Sequence, residues 1–225
     1  MVKVRKFICT LTLMHAWVVS CAWAAGKDLQ AQAQLLMNSP DVTVSGTYDL
    51  PARLEVLDRM LSAPYLLAKL WGAYQFSPAY TARPAGEGIH VNDPTGIAGD
   101  IYLVQQTANR RVYVGTGALN HDPLPAFGGQ IALVLTVLPK GQAVSAHVAI
   151  YVRTDSRMLG FLAWVLFPLL KDRVEARMTA NAASLGVLLK DLSAEPQKAA
   201  ALLQKQDAAA LLQILPPRPL PPKKK

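Results

Sequence analysis

The clearest pattern in the chain lies at 142–153. Val144, Ala146, Val148, Ile150 and Val152 alternate with Ser145, His147, Tyr151 and Arg153. A period of two predicts a strand with one apolar face and one face that is at least partly wet. Further strands are predicted at 75–82, 87–91, 97–106, 111–119 and 129–138, where Ile131, Leu133, Leu135 and Val137 form a second apolar face. Turn signals separate them: Arg83-Pro84-Ala85-Gly86, Asn92-Asp93-Pro94-Thr95-Gly96, Thr107-Ala108-Asn109-Arg110 and Pro139-Lys140-Gly141. Such short connections make consecutive strands antiparallel neighbours. A strand upstream spans Asp41 to Tyr48, with Val42, Val44, Gly46 and Tyr48 set against Thr43, Ser45 and Thr47.

Helical spacing takes over elsewhere. Asp49-Leu50-Pro51 ends the first strand, and Leu54, Leu57 and Leu61 then fall on one stripe of a helix over 52–62. Pro64 opens a second short helix through Leu66, Leu67, Leu70 and Trp71, with Gly72 as its expected stop. Ser156 to Leu192 reads as one long helix. Its second half repeats Val174, Met178, Leu185, Leu188 and Leu192 near a 3.6 period, with Asn181 in one gap and Lys171, Glu175, Lys190 and Asp191 on polar faces. Its first half, Met158 to Leu170, has no charged side chain, and Pro168 predicts a kink or a turn there. At 13 residues this apolar run is too short to span a bilayer. Residues 25–40 read as a polar lead, and 194–215 as an Ala/Leu-rich helix in which Ala199–Gln204 recurs at Ala208–Gln213. That helix lacks a clean polar face, so it packs on the domain or self-associates.

The ends of the chain bear on location. Lys3, Arg5 and Lys6 precede an apolar run from Phe7 to Val19, and Ala22-Trp23-Ala24 supplies small residues where a signal peptidase reads. The expectation is a signal peptide over 1–24 and export to the periplasm or envelope. A second processing route is open: Val18-Val19-Ser20-Cys21 is a loose lipobox, which would lipidate Cys21 and place the chain in the outer membrane as a lipoprotein. Cys9 and Cys21 are the two cysteines, both in this segment, so a packed core rather than a disulfide must hold the remainder together.

Charge narrows the partners. The net charge of +8 falls to +5 without the three signal cations, and Arg218, Lys223, Lys224 and Lys225 carry four of those five. The folded region is thus nearly neutral, which argues against nucleic acid. The tail, 216–225, is Pro-rich and basic and reads as an extended spacer. His90, His121 and His147 are scattered singly, without metal-ligand spacing or a partnered nucleophile, so no catalytic residue, metal or cofactor is expected.

The order of elements is one strand, two short helices, six antiparallel strands and a long C-terminal helix. It resembles the START-like, or Bet v 1-like (SRPBCC), helix-grip superfamily over 41–193. The familiar pieces are Val42–Pro51 leading into short helices and Ala143–Arg153 leading into the long helix. The resemblance implies an α+β fold in which a curved antiparallel sheet of about seven strands wraps around the long helix. It also implies an internal cavity for a hydrophobic molecule such as a lipid or isoprenoid-type compound. Candidates to line that cavity are Tyr102, Tyr113, Leu133, Leu135, Val148, Ile150, Met158, Leu162 and Val165. Asp100, Tyr102, Arg111 and Tyr113 are candidates to hold a polar head, and Phe161, Trp164 and Phe167 to form a gate in transient contact with a membrane. Two alternatives stay open: a cyclase- or aromatase-type enzyme on the same fold, and an envelope interaction module without a ligand.

Overall fold

A computed structural model describes residues 28–94, 97–119, 127–155 and 157–216, with the side chains of 97, 119, 127 and 157–170 left out of that description. The signal segment, the 120–126 loop with His121, and the Pro-rich tail lie outside the described residues.

Seven strands form one curved antiparallel sheet: β1 (Val42–Leu50), β2 (Thr81–Ala85), β3 (Gly88–Asp93), β4 (Ile97–Gln106), β5 (Arg110–Leu119), β6 (Phe127–Lys140) and β7 (Ala143–Thr154). Their spatial order is β1-β7-β6-β5-β4-β3-β2. Two short helices, α2 (Leu54–Leu61) and α3 (Pro64–Ala73), follow β1, and the long α4 (Arg157–Ala194) follows β7. This is the helix-grip arrangement.

The register assigns faces. Directly paired residues share a face, so Arg111, Leu135 and Val148 lie together, as do Tyr113, Leu133 and Ile150. This inner face meets α2, α3 and the second half of α4, with Leu57, Met60, Leu70, Val137, Val144, Leu188 and Leu189 at the centre of the core. The other, outer face has its own smaller core of Val112, Val114, Ala132, Val134 and Ala149.

Several sequence expectations are corrected. Residues 28–38, read as a polar lead, form a helix, α1. Its Ala33 and Leu36 are buried against the outer-face core, with Leu29 and Met37 beside them. The signal was present, since positions 29, 33, 36 and 37 fall on one helical stripe. Gly72 is the next-to-last residue of α3, which ends at Ala73, one residue beyond the expected stop. The strand expected at 75–82 starts at Thr81, and the expected turn at 83–86 is largely strand, because β2 is an edge strand where Pro84 costs no ladder bond. Pro168 brings no turn, as one helix runs from 157 to 194. The Ala/Leu segment is two short helices, α5 (Pro196–Ala200) and α6 (Lys205–Ile214), which pack Ala199, Ala200 and Leu211 into the main core. The break between the two copies turns both apolar sides inward, which a continuous helix with a nine-residue repeat could not do.

Glycines set the sheet's curvature. Gly99, Gly117 and Gly129 pair in a row across β4, β5 and β6 on the inner face. A Cβ on Gly117 would sit 2.5 Å from the Ala98 carbonyl oxygen, and one on Gly99 would run into the Thr116 carbonyl. Only a strand without side chains lets the backbones fold inward this closely.

Candidate functional site

Burial grades along the inner face. Leu135, Val137, Val144 and Ala146 are fully packed at the end covered by α2 and α3. One step further, Tyr113, Leu133, Val148 and Ile150 are only half-buried, as are Ile131 and Val152 beyond them. On β4, Ile101 is half-buried and Leu103 is 43% exposed. Single exposed apolar residues are ordinary, but a contiguous apolar floor that the core leaves half open is the usual mark of a ligand face.

Two polar stations bound this floor. At the packed end Arg111 is 1% exposed and donates through Nη2 to Asp58 Oδ1 on α2, a carboxylate that is itself 42% exposed. The Arg111 Nε is buried without a partner among the described residues. Tyr113, two residues along the same face, has its hydroxyl pKa raised, mainly by burial, with Arg111 opposing the shift and Asp58 adding to it. The pair fastens α2 to the sheet and makes the packed end of the floor polar beneath.

The second station stands at the open end, where Asp93 closes β3. Arg177 of α4 donates from Nη2 to Asp93 Oδ2 at 2.9 Å, and from Nη2 and Nε to the Tyr80 hydroxyl at 2.9 and 3.2 Å. Asn181, one turn along α4, donates from Nδ2 to the same hydroxyl at 2.8 Å. Tyr80 is held in turn by the Trp71 ring, at 5.5 Å between centroids, and the Trp71 indole donates to the Pro78 carbonyl at 2.9 Å. Tyr74 donates to Asp191 of α4 at 3.1 Å, so the 74–80 segment ties α4 to the β2–β3 side of the sheet at two places. Burial, then the bond to Asp191, pushes the Tyr74 hydroxyl up to about 12. Because α4 also packs along β1, with Gly186 giving way to Pro51, the helix reaches both flanks of the sheet.

The residues expected to line the site divide. Tyr113 and Ile150 share the half-open floor with Leu133 and Val148, which are half-buried but pack against the edge of the core. Leu135 shares the face but is packed into the core. Tyr102 is on the opposite, outer face, because it pairs with Val114 and lies over Gly88. Asp100 is also on the outer face, where its Oδ1 lies 2.7 Å from His90 Nδ1. His147 is exposed on the outer face beside Thr47. Arg111 faces inward as expected of a polar anchor, but in a structural pair. Met158, Leu162, Val165, Phe161, Trp164 and Phe167 belong to the first half of α4, whose side chains are outside the described residues, as is Cys21. Sequence reading missed Tyr80, Asp93 and Arg177. Its one trace of the second station was Asn181, a polar residue within an apolar stripe.

Two depressions open on the described surface. One of about 540 Å³ lies between Thr47–Asp49 of β1 and Ala183–Val187 of α4, and one of about 470 Å³ between Tyr65, Lys69 and Asp207. Neither is the inner-face floor. Among the described residues no helix is long and apolar enough to cross a membrane, which says nothing of β-barrels.

No protein-family model matches the chain, and no curated protein matches it. Among solved structures it is similar to protein Ms6760 from Mycobacterium smegmatis, at 14% identity over 66% of this chain and 91% of that one, with a TM-score of 0.45. It is similar to Ara h 8.0201, at 10% identity over 66% of this chain and 97% of that one, TM-score 0.44. A third likeness is to DynU16, a protein in the dynemicin biosynthetic locus, at 14% identity and TM-score 0.42; it covers 67% of this chain and 48% of DynU16. The fold assignment rests on the element order and strand register given above.

Proposed function

We propose that this chain is an exported binding domain that holds one hydrophobic molecule, of lipid or isoprenoid type, against the inner face of its sheet, for shielding or transfer in the cell envelope. The observation that carries this reading is the apolar floor beyond the core, in which Ile101, Tyr113 and Ile150 are half-buried and Leu103 is 43% exposed. Burying apolar surface there contributes roughly 25 cal/mol per Å², so a ligand that covers the floor gains by area alone. The first half of α4, with Phe161, Trp164 and Phe167, would be the gate, and export rests on the layout of residues 1–24.

A cyclase-type reading needs an acid or base poised against a reacting group on the inner face. The described inner face carries Arg–carboxylate pairs, and the His90–Asp100 pair is on the outer face. Binding without chemistry is therefore the reading favoured. Protein purified without detergent should release a stoichiometric hydrophobic compound on solvent extraction, read by mass spectrometry. Protein that releases nothing and takes up no fluorescent lipid would sink the proposal.

A further inference from the structure

The solvent side of α4 departs from the usual surface helix, whose outer face is charged. From Ala176 to Leu189 the one charged residue is Arg177, and it turns to Asp93 on the sheet. Asp172, Ala176, Thr179, Ala183, Val187 and Lys190 follow one another at steps of four, three, four, four and three residues, which keeps them on a single line of the helix. All six are exposed, Val187 by 52%. Thr179, Ala183, Val187 and Lys190 also form one wall of the depression against β1, so the line runs beside a groove.

The ends of this line decide what fits it. Asp172 and Lys190 carry opposite charges, and neither forms an ion pair among the described residues. Consider a second copy of α4 laid antiparallel about a two-fold axis near position 181. It sets Asp172 against Lys190 of that copy, Ala176 against its Val187, and Thr179 against its Ala183. Every pair straddles the same midpoint, so the line is its own complement, as a two-fold contact requires. A parallel pairing would set each charge against its like, which is unfavourable. Small residues at the centre let the two helices approach closely. We infer that the chain self-associates through the exposed face of α4 as an antiparallel two-fold dimer. The paired stretch is about 27 Å long, short for an interface of roughly 800 Å² per partner, so the dimer is weak and forms in the micromolar range. Leu188 and Leu189 turn the opposite side of α4 into the core, so this contact is independent of ligand binding on the inner face.

Sedimentation velocity tests it on protein purified from cells that express the full-length sequence, at about 1 to 300 µM. The sedimentation coefficient should rise with concentration from that of a monomer to that of a dimer. Lys190→Asp turns both intermolecular charge pairs from attraction to repulsion and should weaken the dimer at least about tenfold, as should Asp172→Lys. The double variant, Asp172→Lys with Lys190→Asp, again sets opposite charges across the axis and should recover most of the parent's affinity. That recovery separates pairing between copies from damage to the fold, because the double variant carries both changes. A monomer throughout the range overturns the dimer and leaves the face to an unlike partner. A dimer that neither single reversal weakens, or that the double reversal fails to restore, overturns the antiparallel α4 contact.

Discussion

Arg111 and Asp58 show how unequal two partners of one ion pair can be. The guanidinium is wholly buried and the carboxylate is substantially exposed. Removing the carboxylate strands a cation inside the sheet–helix interface, whereas removing the cation leaves an aspartate that water can solvate. Asp58→Ala should therefore cost about 3 kcal/mol or more, while Arg111→Met should stay within about 1 kcal/mol of the parent, since an apolar side chain of similar volume fills the space. Urea denaturation of the two variants checks this, and equal losses would contradict it. Asn181 is the counterpart on α4. In sequence it is a blemish in an apolar stripe, and in the fold it is the polar contact that the stripe carries to Tyr80.

Elements differ in how openly their sequence declares them. β7 and β6 are legible because strict alternation sustained over many residues fits a half-buried strand and clashes with a helical period. The second half of α4 is legible for the same reason at a 3.6 period. α1 was obscured by its Gln and Asp content, which outweighs a narrow stripe of Leu29, Ala33, Leu36 and Met37 when read for polarity alone. β2 was obscured by Pro84, a breaker in the middle of a sheet but tolerated at its edge. The glycines within elements also differ in role. Gly72 in α3 has open space around its Cα, so Gly72→Ala should stabilise by about 1 kcal/mol through helix propensity. Gly99 in β4 faces backbone, so Gly99→Ala should destabilise by about 1–3 kcal/mol or more through overpacking. Thermal melts of the two variants should move in opposite directions.

The whole molecule is held together by ties that cross long stretches of sequence, and several depend on protonated groups. Tyr74 bridges α3 to α4 with its hydroxyl pushed up to about 12. Lys69 bridges α3 to α6 at 2.5 Å from Asp207, and that hydrogen bond raises its pKa. The Tyr113 hydroxyl is raised by burial. In each case the folded state holds its proton more tightly than the unfolded chain does. Their contribution to stability is thus complete below about pH 10, the ordinary tyrosine range, and falls as pH rises through the folded values. Stability should decline between about pH 10 and pH 12, and Tyr74→Phe should flatten part of that slope. Denaturation midpoints measured across this range test it, and a Tyr74→Phe variant with the parent's slope would refute the assignment.

The sequence by itself determined the succession from β1 through two short helices to β7 and the long α4, and the apolar side of β6, β7 and the second half of α4, because side-chain periodicity reports local geometry directly. From these the helix-grip architecture follows, with the half-open floor placed on β5, β6 and β7. Only the tertiary structure decided which face of β4 looks inward. A bulge between Leu103 and Gln105 shifts the register, and Tyr102 points outward in consequence. It alone joined Tyr80, Asp93, Arg177 and Asn181, which are up to 101 positions apart. No local pattern encodes such a meeting, because it depends on how far the glycine row lets the sheet curl toward the helix.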